Sequence, residues 1–193
     1  HFLSGFTMPL GTWDKMTTVN YAHGHSVLEG YMSLRPQDPI SLNYEAIMKS
    51  KYGEARTNEI LDQNIHHVIC YPGLSVQPPL QQLRAIRPLA HDQTLTELWH
   101  FRLKGAPEPI YRRALGYFNL VNSPSTMVNA DDLWNFRKQH EGLQSEGGEW
   151  VSLHRYLGQD DEANGVVRTR IGTSEAPLRN YFKAWAEYMT AGN

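Results

Sequence analysis

Thr94-Leu-Thr-Glu-Leu-Trp-His-Phe-Arg-Leu103 and, across Lys104-Gly-Ala106, Pro107-Glu-Pro-Ile-Tyr-Arg-Arg-Ala-Leu-Gly-Tyr-Phe-Asn-Leu-Val121 mark where this chain changes its period. In the first stretch Leu95, Glu97, Trp99, Phe101 and Leu103 alternate and so share one face of a strand. In the second, Ile110, Ala114, Tyr117, Phe118 and Val121 recur at helical spacing. Upstream of this switch, Leu80 to Leu89 reads as a strand, and His67 to Tyr71 as another that continues past Pro72-Gly73 toward Val76. Before them, Leu42 to Leu61 has helical periodicity through Tyr44, Ile47, Met48 and Tyr52, with a soft spot at Gly53. Pro36 to Pro39 is a loop, and Met16 to Met32 is a hairpin turned at His23-Gly24-His25. Downstream, helices are predicted over Ala130 to Leu143 and from Ser174-Glu-Ala-Pro177 onward, with Leu178, Tyr181, Phe182 and Trp185 as the final stripe. Between them lie a Gly-rich polar stretch, a short apolar piece at Trp150 to Leu157, and a solvated acidic loop at Gln159 to Asn164. Hairpin, helix, meander and then helices make an α+β domain rather than a βαβ array.

The composition is that of a folded globular chain: 193 residues, 40% hydrophobic and 20% charged, with five Trp and ten Tyr. That length suits one domain with a sizeable core. A net charge of -2 gives no general attraction to nucleic acid or an anionic membrane. No apolar run approaches the roughly 20 residues needed to span a bilayer. The lone cysteine, Cys70, rules out an internal disulfide framework, a cysteine-held zinc and a cysteine-held cluster within these residues, and fits a reducing compartment, the cytoplasm. Residue 1 is a His that leads directly into an apolar segment, without the basic region of a signal peptide; residues ahead of it are expected.

One helix carries an unusual carboxylate. In Asn129-Ala-Asp-Asp-Leu-Trp-Asn-Phe-Arg-Lys-Gln-His-Glu-Gly142, Asn129 suits the N-cap. Asp132 shares a face with Phe136, whereas Asp131 shares the side of Trp134, Asn135 and Lys138. A carboxylate on a core-facing stripe demands a partner: a hydrogen bond, a cation or a metal. It could equally cap its own helix. Nine histidines are the main further supply of bases and ligands. His66 and His67, as strand neighbours, point to opposite faces, so at most one of them serves a given site. The GxGxxG, P-loop, GxSxG and HExxH motifs are absent. Arg84 and Arg87 lie on opposite faces of their strand, and one that faces inward would want a carboxylate.

Several segments together resemble the catalytic part of the α-subunit of Rieske-type aromatic-ring-hydroxylating dioxygenases. Tyr21-Ala-His-Gly-His-Ser-Val-Leu-Glu-Gly-Tyr31 is similar to that family's Gly-rich hairpin, and His67-Val-Ile-Cys-Tyr-Pro72 to its strand with an aromatic-Pro ending. Asn129-Ala-Asp-Asp132 followed by Phe136 is similar to the helix that supplies the carboxylate iron ligand, and Gly172-Thr-Ser-Glu175 with Tyr181-Phe-Lys-Ala-Trp185 to the C-terminal helix.

The resemblance implies a single catalytic-domain fragment over residues 1–193, with an antiparallel sheet wrapped around a long helix (helix-grip-like) and an apolar cavity. It implies mononuclear Fe(II) held by two histidines and a carboxylate, with Asp132 and His1 as the matching ligands and Val27 and Phe136 as substrate-lining positions. The [2Fe-2S] Rieske cluster belongs, on this resemblance, to an N-terminal domain outside these residues, and the fragment alone would be inactive. The implied partners are an aromatic substrate, O2 and a reductase or ferredoxin that relays electrons from NAD(P)H. The implied assembly is a homotrimer or a heterohexamer with a β-subunit. Two rival expectations come from other classes. One is a metal-free helix-grip domain that binds an apolar ligand. The other is an inactive structural subunit whose cavity is filled by side chains. An Asp132 turned to solvent would favour either over the oxygenase.

Overall fold

A computed structural model describes residues 13–30 and 35–191. The hairpin forms where β-branched residues predict it: β1 (Thr17–Asn20) pairs with β2 (Ser26–Glu29), and Val19 stands opposite Val27. His23 and Gly24 turn the chain at φ of 61° and 81°. A Cβ on Gly24 would lie 2.8 Å from Tyr71 Cγ and 2.9 Å from Ala184 Cβ, so this glycine also admits the last helix to the sheet.

The helix expected over Leu42 to Leu61 is two helices. Asp38 Oδ1 accepts from the Ile40 and Ser41 amides at 3.0 and 3.1 Å and starts α1 (Pro39–Tyr52). Gly53, at φ 76°, separates it from α2 (Glu54–Leu61). The strand expected to run past Pro72-Gly73 folds back there instead. It becomes β3 (Ile65–Cys70) and β4 (Leu74–Gln77), because a proline cannot donate to a ladder and the turn reverses the chain. A long hairpin follows, β5 (Gln82–Ala90) with β6 (Gln93–His100), and then α3 (Glu108–Asn122) and α4 (Met127–Leu143). The acidic stretch expected as a loop contains β7 (Asp161–Ala163), which Asn164-Gly165 turns onto β8 (Val166–Thr169). Ala176–Thr190 is α5.

Among the described residues eight strands form one open, wholly antiparallel sheet in the order β6-β5-β4-β3-β2-β1-β8-β7. With the five α-helices found among the described residues this is the α+β class that the order of elements predicts. Pairing assigns the faces. Ser26, Ile69, Ser75 and Arg84 are successive cross-strand partners, so they share one side with Gln82 and His100. Helices cover that side. The His100 ring lies against Tyr111 and Phe118 of α3 at 5.4 and 5.0 Å. Tyr181 of α5 shares a 2.6 Å hydrogen bond with Ser26, and Asn180 donates to the carbonyls of Tyr21 and His25 at 3.0 and 3.1 Å. Val19, Val27, Val68 and Val76 form a row on the opposite side.

Candidate active site

The start of α4 is fixed by the end of α3. Thr126, not Asn129, is the N-cap residue, and its hydroxyl donates to the Ser123 carbonyl at 2.7 Å. Asn129 is already inside the first turn, where its side chain donates to the Asn122 carbonyl at 2.8 Å. This joint sets the rotation of the helix. Asp131 is exposed and Asp132 is half-buried, the division that the helical wheel predicts. Burial raises the Asp132 carboxyl above its ordinary range, Arg84 opposes that rise, and Asp131 adds to it.

Arg84 rises from β5 on the helix-covered side. Burial pulls its guanidinium below its usual value, with Asp132 working against the change. Its Nη2 donates to Asn122 Oδ1 over a long 3.4 Å. Asn122 is held in turn: its Nδ2 donates to Gln82 Oε1 at 2.7 Å and to the Phe118 carbonyl at 2.9 Å. Gln82, fully buried, donates to Gln77 Oε1 at 2.9 Å. A chain of amides thus runs from the sheet to the helix that carries Asp132.

His67 completes the group. Its Nε2 is 2.7 Å from Ser75 Oγ, and burial, with smaller effects from His66 and Arg84, lowers it to about 4. It is therefore neutral at physiological pH. His66 is also held low by burial. The expected separation of these two side chains onto opposite faces does not hold. The register slips between Leu28 and Glu29, which leaves an extra residue in β3 at His66, and the two rings meet edge-on at 6.3 Å. Trp13 meets His66 edge-on at 6.4 Å.

The other expected site residues fare differently. Phe136 follows Asp132 by one turn of α4 and is 59% exposed. Val27 is half-buried, but alternation puts it on the side of the sheet away from Arg84 and Ser75. His1 lies outside the described residues. Among the described residues no three His, Cys, Asp or Glu side chains converge as a metal cluster. Arg87, the other candidate cation, is exposed and paired with Glu97 at 2.5 Å. A depression of about 440 Å³ beside Glu29, Gly30, Asp62 and Asn64 is walled by polar groups and lies apart from this cluster. None of the helices among the described residues is long and apolar enough to cross a membrane.

The fold is similar to that of solved naphthalene 1,2-dioxygenase chains. Solved structures of naphthalene 1,2-dioxygenase superpose on 98% of the chain with TM-scores of 0.75, with indole bound, and 0.72, for an F352V mutant bound to phenanthrene. Identity is 13% and 14%, and the match takes in 44% and 45% of those chains. The Rhodococcus sp. enzyme bound to indole superposes on 99% of the chain at a TM-score of 0.72 and 16% identity, over 49% of its own length. By sequence, the chain is similar to the large subunit of 2-halobenzoate 1,2-dioxygenase from Burkholderia cepacia, 26% identical over 96% of this chain and 43% of that protein. No family model matches. The resemblance drawn from the motifs therefore holds in sequence and in fold, and the chain spans less than half the length of the relatives it matches.

Proposed function

We propose that this chain is the substrate- and mononuclear-iron-binding portion of an aromatic-ring-hydroxylating dioxygenase large subunit, a non-haem iron oxidoreductase. The observation that carries this function is Asp132, a half-buried carboxylate on the helix-covered side of a sheet shared with ring dioxygenases. Its raised proton affinity is the signature of a carboxylate taken partly out of water, and a bound cation offsets that cost. Asp132 thus fits the carboxylate ligand of Fe(II), with His1 as a second ligand and a third histidine from outside this sequence. Iron bound there supplies the reductive activation of dioxygen, with electrons relayed from NAD(P)H by a reductase or ferredoxin and a [2Fe-2S] Rieske centre in another part of the protein.

The residues of this chain position and shield. Phe136, one turn beyond Asp132, lines the approach for an aromatic ring, whereas Val27 belongs to the packing of the far face. His67 is neutral and hydrogen-bonded, so it adds no charge beside the ring. Exposed Trp134 and Leu133 on α4 and Phe182, Trp185 and Met189 on α5 offer apolar surface for a homotrimer or a heterohexamer with a β-subunit. We place this assembly in the cytoplasm, where NAD(P)H is available.

The test is iron and acid-labile sulfide on the intact, natively expressed gene product. About three irons and about two sulfides per chain are expected, from one cluster and one mononuclear site. Asp132→Ala should remove one iron and leave the sulfide unchanged. A product with neither iron nor sulfide would instead be a metal-free ligand-binding domain.

A further inference from the structure

The direction in which α4 faces is decided in its first turn. Among the described residues of that helix Val128 alone is buried, whereas Leu133, Trp134, Phe136 and Leu143 are exposed. The ion pairs of Arg137 and Lys138 with Glu141, and the contact of Gln144 with His140, stay within its C-terminal half. Such pairs stiffen a helix without fixing its rotation. Two residues of the first turn reach outward instead. Val128 packs, and Asn129 Nδ2 donates to the Asn122 carbonyl at 2.8 Å. Asn122 ends α3, where the last carbonyls lack partners within their own helix. One of them thus takes its donor from the next helix. The acceptor is itself held: Asn122 Nδ2 donates to Gln82 Oε1 at 2.7 Å and to the Phe118 carbonyl at 2.9 Å, and Gln82 is fully buried on β5. The bond from Asn129 therefore refers α4 to the sheet as well as to α3.

Asparagine is a poor choice for the helix alone. Its side chain competes with the backbone, and leucine, alanine or glutamine would favour the helix more. What it adds at position 129 is a short amide donor, and an ionised aspartate there could not donate. Asp132 follows Asn129 by three residues and Val128 by four, so the three share one side of α4. A slip of one residue in the seating would turn the helix by about 100° and carry Asp132 off the covered side.

We propose that Asn129 is a positioning residue: through the Asn122 carbonyl it locks the rotation of α4 and so holds the Asp132 carboxylate toward Fe(II). This role rests on the function proposed above, in which Asp132 is the carboxylate ligand. Its effect passes through the direction of another side chain, as it does for the outer partners of metal ligands.

The experiment is a titration of Fe(II) against a chelator on the intact gene product, under anaerobic conditions and without turnover. Acid-labile sulfide reports the cluster in the same samples. Asn129→Leu keeps the size and favours the helix but removes the donor. It should weaken the mononuclear Fe(II) by about 10-fold, the lower end of the loss seen when an outer partner of a ligand is removed, with sulfide unchanged. Asn129→Ala should show the same loss, and carries the test where the bulkier leucine does not fold. Asn129→Gln restores a donor on a longer arm and should recover part of it. Glu141→Gln loosens the far end of the same helix and should leave the Fe(II) affinity unchanged, which separates direction from helix stability. Asp132→Ala sets the scale by removing the ligand. If Asp132→Ala loses the mononuclear iron while Asn129→Leu and Asn129→Ala bind it like wild type, the positioning role is overturned and the iron site stands. A loss from Glu141→Gln equal to that from Asn129→Leu also overturns it, because any weakening of α4 would then suffice. If Asp132→Ala keeps its iron, the function proposed above fails and takes this role with it.

Discussion

Replacing His67 with Gln should flatten the acid side of the stability curve. In the fold His67 is lowered from the ordinary imidazole value of 6.5 to about 4, chiefly because it is buried. The unfolded chain therefore binds a proton on this residue between those two values while the folded chain does not. Stability is fully present above about pH 6.5 and falls as the pH drops toward 4. At roughly 1.4 kcal/mol per pH unit the whole effect is about 3 kcal/mol, of which about 2–3 kcal/mol is expressed at about pH 4.5. His66 is held low for the same reason and adds a slope of the same sign. Gln at position 67 can still meet Ser75 Oγ, now 2.7 Å from Nε2, but cannot titrate. Urea unfolding of the intact gene product at about pH 7.5 and about pH 4.5 measures the difference. The variant should lose about 2–3 kcal/mol less than wild type on acidification. Parallel losses in the two proteins would show that His67 is charged or solvated in the fold, and would refute the neutral, buried imidazole assigned to the site.

Gly24→Ala should lower stability by about 2–5 kcal/mol, from a left-handed backbone together with overpacking against Tyr71 and Ala184. A fall of about 5–15 °C in the thermal midpoint is expected, and an unchanged midpoint would mean that α5 does not sit on the hairpin as described. Gln82→Leu fills the same buried space but strands Gln77 Oε1 and Asn122 Nδ2, at a cost of about 2–4 kcal/mol. Chemical denaturation reads that cost, and hydrogen exchange should show faster amide exchange at the start of α4, since Asn122 then loses a support.

The legible parts of the sequence were those with a local cause. The first hairpin, the long β5–β6 ladder and three of the helices follow from periodicity alone. Asp132 was legible because a helical wheel separates it from Asp131 without any knowledge of the neighbours. Where non-local pairing decides, the pattern misleads. The Cys70-Tyr-Pro-Gly-Leu74 run looks continuous, but Ile69 prefers Ser75 as a partner on the returning strand. The β7–β8 hairpin did leave a sign, Asn164-Gly165, both at positive φ of 53° and 74°. That dipeptide is a strong two-residue turn signal, masked by the acidic residues before it. Nothing local announces the slip at His66, which depends on how β2 meets β3. Nor does anything mark Asn122 as the link between sheet and helix. Its role exists only after α3 has docked on β5.

The position of β1 in the sheet has a consequence for biosynthesis. It lies between β2 and β8, and its Asn20 is bonded to Val167, 147 residues further along the chain. On a translating ribosome, β1 and β2 can pair within moments of emerging. The other flank of β1 must then wait until nearly the whole domain has been made, roughly 7–30 s at about 5–20 residues per second. For that interval Thr17 to Asn20 present an open strand edge to solvent and to neighbouring nascent chains. The last hairpin is thus the clasp of the domain as well as part of its sheet. A stalled or truncated product that ends before Val166 carries that edge permanently and is a natural client for chaperones.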